Sequence, residues 1–421
     1  MVQNLRLATG LLLFLALVAG CARAQPRPSG SPFDENGRVL PAPAIRVDTP
    51  APGSEPMPPL PPDFQLPVVE PRTPRGVSIG LLLPLSGSYA ATGEAVRDGF
   101  LAATFKDPAR GEVRVYDVGS SDAQLLGAYQ RALDEGAAIL VGPLRKESVA
   151  YLASLRPPVP VLALNYLDAA SSVPFNFLQM GLAPEDEARA AADHANRLGL
   201  RRAIAMVPGN EWGERTLAAF EQQLRAEGGA VLRSERYTPG VADHSKAIEA
   251  LLGVAASEER HRALTAILGV KSQFEAKRRS DIDLIFLAAR APDARLLVPQ
   301  FRFARVGDAP IYATALAYSG RGDSDRAGLR FCDMPWVVGD TTVWAPARLE
   351  VEALASAGTQ PRLHALGRDA YQLSAGLLRG ELRPGDRIDG ATGRLSWGSS
   401  GQIERALDCV QIQSDGLRAL P

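Results

Sequence analysis

The stretch VSIGLLLPLSGSYAATGEAVRDGFLAATF (77–105) decides the fold. Residues 77–83 are an unbroken apolar run, which suits a strand covered on both faces. Pro84, Leu85, Ser86, Gly87 and Ser88 then supply turn chemistry. Val96, Phe100 and Ala103 recur at helical spacing and predict a helix over 93–105. The alternation continues downstream. Strands are expected at 113–118, 138–141 and 160–164, and helices at 122–135 and 146–155. Leu125, Tyr129 and Leu133 fall at i, i+4 and i+8, and Gly136 is placed to stop that helix. A βαβαβ succession of this kind builds a parallel sheet covered by helices.

A second succession follows. Pro184 opens a helix with Glu185, Asp186 and Glu187 in its first turn, where the helix dipole favours acids. Strands are read at 202–207, 231–237, 282–288 and 310–314, and a helix at 212–227 closed by Gly228 and Gly229. A charged helical stretch covers 245–276, a helix covers 363–378, and 407–413 is a final strand. No short tandem unit recurs; the repeating unit is a whole βα lobe.

The rest of the chain sets bounds. Its 421 residues suffice for two or three domains, and 46 basic residues nearly cancel 47 acidic ones. No basic field therefore points to nucleic acid. At the N-terminus Arg6 precedes an apolar run over 11–20 and then Cys21. That is a secretory signal, too short to span a bilayer, which takes roughly 20 residues. Val18-Ala19-Gly20-Cys21 resembles the bacterial lipobox, so Cys21 is expected to become the lipid anchor of the mature chain after removal of 1–20. Ala22 in place of aspartate favours the outer membrane by resemblance to enterobacterial sorting, with inner-membrane anchoring as the alternative. Residues 22–75 hold 15 prolines in 54 positions, against 18 in the 346 that follow. Such a segment buries too little apolar surface to offset its ordering entropy, so 21–75 is read as a lipidated, disordered tether and 76–421 as the folded part.

Tests for chemistry fail. The four histidines (194, 244, 261, 364) and three cysteines show no metal-ligand spacing, so neither a metal nor a cofactor is expected. Gly76-Val77-Ser78-Ile79-Gly80 matches GxSxG, but Ser78 falls inside a strand and not on an exposed elbow. A Walker loop would need lysine after Gly93, where Glu94 stands. Neither Ser-x-x-Lys nor Lys-Thr-Gly occurs, and no enzymatic activity is expected. Cys332 and Cys409 remain after processing. An oxidising compartment would join such a pair; two buried thiols are the other reading. Lys277, Arg278, Arg279, Asp281 and Asp283 form the densest charge run, either a solvated loop or a patch that faces a partner.

The order of strand, Pro-Leu-Ser-Gly turn, helix and later Val141-Gly142-Pro143 resembles the type I periplasmic binding-protein fold. Within it the chain is similar to the penicillin-binding-protein activator (LpoA/LppC-type) lipoproteins. The segments that carry this are 79–103, 141–149, 160–165, GLAPEDEARAAADHA (181–195), 278–300, 311–314, FCDMPW (331–336) and RLHALGRDAYQL (362–373). The resemblance implies two doubly wound α/β lobes joined by a three-strand hinge. Lobe one would hold about 77–180 and 310–392, and lobe two about 182–309 and 393–421. It also implies a non-catalytic outer-membrane lipoprotein, facing the periplasm, that activates a bifunctional peptidoglycan synthase (a class A penicillin-binding protein) by contact. Enterobacterial members carry a helical-repeat domain where this chain has its Pro-rich segment. The alternative is the substrate-binding receptor of an amino-acid or peptide ABC transporter. In doubly wound lobes ligands sit beyond the carboxyl ends of the strands. Ser86, Gly87, Ser88, Leu144, Arg145, Asn165 and Tyr166 are then the candidate cleft residues. Bulky, cationic Leu144-Arg145-Lys146 argues against a standard amino-acid pocket and leaves a more acidic small-molecule ligand as the alternative.

Overall fold

A computed structural model describes residues 78–168, 173–269, 279–304, 306, 308–320, 324–339, 341–355, 360–398 and 400–421. The signal and tether expected over 1–75, including Cys21, lie outside the described residues, as does Arg278. The first sheet is built from β1 (Ser78–Leu83), β2 (Val113–Asp117), β3 (Ala137–Val141), β4 (Val161–Ala163) and β5 (Phe177–Gln179). Its order is β2-β1-β3-β4-β5, and every pairing is parallel. The crossovers are α1 (Ala90–Lys106), α2 (Asp122–Asp134) and α3 (Lys146–Ser154). β1 is buried along its whole length, as its continuous apolar run demands. Ser78 donates from Oγ to the Gly136 carbonyl at 2.7 Å, inside that strand. α2 starts where the Ser121 hydroxyl accepts the Gln124 N–H.

The second lobe repeats the plan. Its elements are α4 (Pro184–Arg197), β6 (Arg202–Pro208), α5 (Glu211–Ala226), β7 (Ala230–Tyr237), α6 (Ser245–Leu251) and α7 (Val254–Leu268). They continue with β8 (Leu284–Leu287), α8 (Ala291–Phe303), β9 (Ile311–Ala313) and β10 (Arg330–Asp333). The parallel order β7-β6-β8-β9-β10 copies that of the first sheet. Alanines 188, 191, 192 and 195 line the buried face of α4 and let it lie close on α5 and the sheet.

The chain then returns to lobe one through α9 (Pro335–Val338), α10 (Thr341–Leu354) and α11 (Pro361–Leu378). A three-stranded antiparallel sheet follows, of β11 (Arg387–Gly390), β12 (Gly393–Trp397) and β13 (Ile403–Ala406). It packs Ile388, Leu395, Trp397 and Ile403 into the core of lobe one. Finally β14 (Asp408–Ile412) joins β10 antiparallel, and β15 (Leu417–Ala419) extends the second sheet. Cys332 and Cys409 stand directly opposite in the β10–β14 pair and form a disulfide.

Two expected boundaries are corrected. The segment 310–333 belongs to lobe two, because β9 and β10 extend the free edge of β8. Residues 393–406 belong to lobe one, because β12 and β13 complete the small sheet begun by β11. Lobe one is therefore about 78–182 with 335–406, and lobe two about 183–334 with 407–421.

The return is locked by two glycines. A Cβ on Gly99 of α1 would sit 2.0 Å from the His364 carbonyl oxygen, and one on Gly367 of α11 would sit 2.0 Å from the Val96 carbonyl oxygen. Only glycine lets the two helix backbones cross at this distance. Tyr371 of α11 then packs edge-on against Phe100 and donates to Asp107 at 2.8 Å. Gly99→Ala should cost about 1–3 kcal/mol of stability through overpacking. Gly127→Ala, in α2 with open space around it, should be neutral or stabilising by up to about 1 kcal/mol. Denaturant unfolding of the two variants checks both values.

Candidate functional site

The carboxyl ends of both sheets face the cleft between the lobes, so the loops that follow the strands form its lips. After β1, Asp117 at the end of β2 accepts the N–H groups of Leu85 and Gly119, each at 2.8 Å. Burial pushes the Asp117 carboxyl up, but hydrogen bonds from Ser86, Gly119 and Leu85 outweigh it and hold the group below its usual range. The Ser86 donors that could meet a ligand anion are thus already committed to a carboxylate of the chain. Gly87 is left-handed (φ 76°), and Ser86 and Ser88 are exposed. Gly93 is fixed by closeness, since a Cβ there would lie 2.0 Å from the Pro84 carbonyl oxygen.

The lip after β3 is largely bonded from within, Arg145 Nε being buried without a partner. Leu144 offers its carbonyl to Asn165 Nδ2 at 2.9 Å, and Asn165 Oδ1 accepts the Tyr166 N–H at 2.9 Å. Arg145 donates to the Ser120 carbonyl at 2.7 Å and lies over the Tyr89 ring, 5.2 Å from its centre. Lys146 pairs with Asp168 at 2.5 Å. Tyr166 leaves the set of cleft residues. Its hydroxyl donates toward the carbonyls of Ile403 (3.2 Å) and Gly181 (3.4 Å), and its ring occupies the space a Gly181 side chain would need. It belongs to the hinge.

The chain crosses between lobes three times, after β5, after β10 and after β13. Charges that the sequence reading assigned to no site gather there. Arg405 of β13 has a side chain only 2% exposed and donates to Asp186 of α4 at 2.8 Å. Arg362 of α11 holds the buried Asp333 carboxylate through Nη2 (2.5 Å) and Nε (3.1 Å), and reaches the Ala315 carbonyl at 3.2 Å. Glu187 accepts the Ala315 N–H at 2.8 Å. Its side chain is half-buried; desolvation first, and then the Asp333 charge, push its carboxyl above the usual range. Beside them Asp369 of α11 is fully buried and accepts the N–H of Ala391 and of Thr392 (2.7 Å each) and the Thr392 hydroxyl (2.6 Å). Burial raises its pKa against those bonds.

The segments that carry the family resemblance thus have structural work to do. Asp186 and Glu187 come from 181–195, Cys332 and Asp333 from 331–336, and Arg362, Gly367 and Asp369 from 362–373. The charge run at 279–283 is mutually neutralised. Arg279 pairs with Asp281 at 2.8 Å, and Asp283 pairs with Arg202 at 2.7 Å while capping the Arg201 and Arg202 N–H groups. The hydrogen bond from Arg279 holds Asp281 down at about 2. Among the described residues no group of three or more His, Cys, Asp or Glu is placed to hold a metal. His194 is buried against the Tyr312 hydroxyl at 2.8 Å. A cavity of about 310 Å³ lies beside Arg302, Asp308, Leu329 and Gln411, at the amino ends of β9 and β10 and so away from the cleft.

A hint of the hinge charges was present in the sequence. Asp333, between Cys332 and Met334, interrupts an otherwise apolar stretch. Arg405→Ala should cost about 1–3 kcal/mol, since it removes a buried donor from one oxygen of Asp186 and from the Thr392 carbonyl, while Arg189 still holds the other Asp186 oxygen at 2.5 Å. Arg279→Ala, in a half-buried pair open to solvent on the Asp281 side, should cost no more than about 1 kcal/mol. Urea unfolding of both variants tests the contrast.

The family described as LppC putative lipoprotein matches residues 73–415. The penicillin-binding protein activator LpoA of Aliivibrio fischeri is 29% identical over 343 residues, covering 79% of this chain and 56% of that protein. The chain therefore spans about half the length of the curated relatives it matches. The LpoA (YraM) C-domain from Haemophilus influenzae, described as a regulator of PBP1A, aligns with a TM-score of 0.61 at 24% identity, over 82% of this chain and 100% of that one. A putative branched-chain amino acid ABC transporter from Rhodospirillum rubrum gives 0.64 at 19% identity, over 82% and 100%. These two structures establish the two-lobed periplasmic binding-protein-like fold. By the match across 73–415, which takes in both lobes, the hinge and the disulfide, the chain belongs to the LppC lipoprotein family.

Proposed function

We propose that this protein is a non-catalytic envelope lipoprotein that activates a bifunctional peptidoglycan synthase, a class A penicillin-binding protein, by direct contact. The relatives' name supplies the partner class. The observation that carries the reading is the state of the cleft lips. Leu85, Ser86 and Asn165 spend their donors on the chain's own oxygens, and Arg145 is stacked on Tyr89 and bonded through Nη1, with its Nε left unpartnered. A receptor that closes on amino acids needs such donors free, so the fold's transporter use is disfavoured in this chain.

In this reading residues 1–20 are removed, Cys21 carries the lipid, and 21–75 tether the head to the outer membrane on its periplasmic side. Tethering raises the head's effective concentration near a synthase. Activation then requires only that the head bind the active state of the synthase better than the resting one. With purified full-length chain and a class A synthase in detergent, glycan polymerisation and cross-linking should rise severalfold, with association at micromolar concentration or below. No association and unchanged rates would remove the proposal.

A further inference from the structure

The two lobes share a plan, and one crossover departs from it. In lobe one 19 residues (118–136) join β2 to β3, and the single helix α2 covers the step. In lobe two the matching step from β7 to β8 takes 46 residues (238–283). There α6 already does the covering, with Ile248, Leu251 and Leu252 in the core. α7 is the excess. Among its described apolar side chains only Val254, in the first turn, packs against that core. A crossover needs one helix to return the chain to the sheet, so the fold gives α7 no work.

The outer side of α7 is apolar where water should make it polar. Leu264, Ile267 and Leu268 are 55%, 79% and 66% exposed, and Ala263 is exposed beside them. Counted from Arg260, these four fall at i+3, i+4, i+7 and i+8, the spacing of one helix face. Single exposed apolar side chains are ordinary; a stripe of this kind marks a contact surface. A helix that seats in another protein's groove does so through anchors at that spacing.

Charge says what covers the stripe. Arg260 stands on it, and among the described residues its guanidinium pairs with no carboxylate. From 260 to 278 the sequence holds Arg260, Arg262, Lys271, Lys277 and Arg278 against Glu275 alone. A surface that meets this stretch must offer acids. Lipid fits poorly. Three aliphatic side chains give a shallow anchor, and Glu258 and Glu259, just before the stripe, would be repelled by an anionic membrane. We propose that α7 is the docking helix of the head, its stripe seated in an apolar groove rimmed by carboxylates on the synthase. This rests on the activator reading above and names the surface through which it acts.

A polarity-sensitive fluorophore on Ala263→Cys, in the full chain in detergent, reads the stripe directly. Its emission should shift to the blue when a class A synthase is added. It should not shift when the chain is concentrated alone or reconstituted into phosphatidylglycerol-containing vesicles. Leu264→Ser combined with Ile267→Ser should weaken association at least about tenfold, and Arg260→Glu severalfold, more so at low salt. Leu349→Ser, at a side chain on α10 that is 65% exposed, should change nothing. All these positions face water, so the urea midpoints should match wild type. If wild type associates and the stripe variants bind as tightly, the docking site is overturned and the activator reading stands. If wild type does not associate, both fall. A blue shift on concentration alone would assign the stripe to a second copy of the chain, and one on vesicles alone to lipid; either overturns the proposal.

Discussion

Two arginines from one lobe are held by carboxylates at the root of the other, and the architecture depends on that contact. Arg362 and Arg405 both arise after the chain has finished its second parallel sheet and come back to the first lobe. The return therefore does more than add helices. It carries cations across to Asp186 and Asp333, beside the strands that connect the lobes. Enclosed ion pairs of this kind add little net stability, because desolvation offsets attraction. What they supply is specificity: without Arg362 the Asp333 carboxylate, and without Asp186 the Arg405 guanidinium, is a buried, unpaired charge.

The same economy explains the cleft. The fold places strand ends and their loops where a ligand would sit. Here Asp117 takes the donors of the first turn, Asn165 is bonded back to Leu144, and Tyr166 is drawn under Gly181 into the hinge. The scaffold of a small-molecule receptor is retained, while the groups that would read a small molecule are used to stiffen it. A head of this sort is suited to act as a shape presented to another protein.

Much of the architecture was legible in the sequence, since buried parallel strands write themselves as continuous apolar runs. SIGLLL, AAILV and LIFL could not have been half-exposed strands. One boundary error traces to a helix: no element was read over 291–303, yet α8 forms there, accommodates Pro299 and buries Ala294, Leu297, Val298 and Phe301. Without that crossover, β9 had no reason to join β8, and the return to lobe one was placed some twenty residues early. The three-residue strands β4, β5 and β9 carry too little pattern to show which sheet they join. The hinge charges were harder still. Arg405 and Asp186 are 219 residues apart, and each alone reads as an ordinary surface charge. The turn residues were found, but only distances showed their donors to be in use.

The central claim is that the cleft lips answer to the chain itself and not to a small ligand. Hydrogen–deuterium exchange on the full chain, with and without a saturating mixture of amino acids, tests it most directly. The account expects the amides of 85–88, 119–120 and 144–146 to exchange at the same rates in both samples. Ligand-dependent protection of those amides would contradict it.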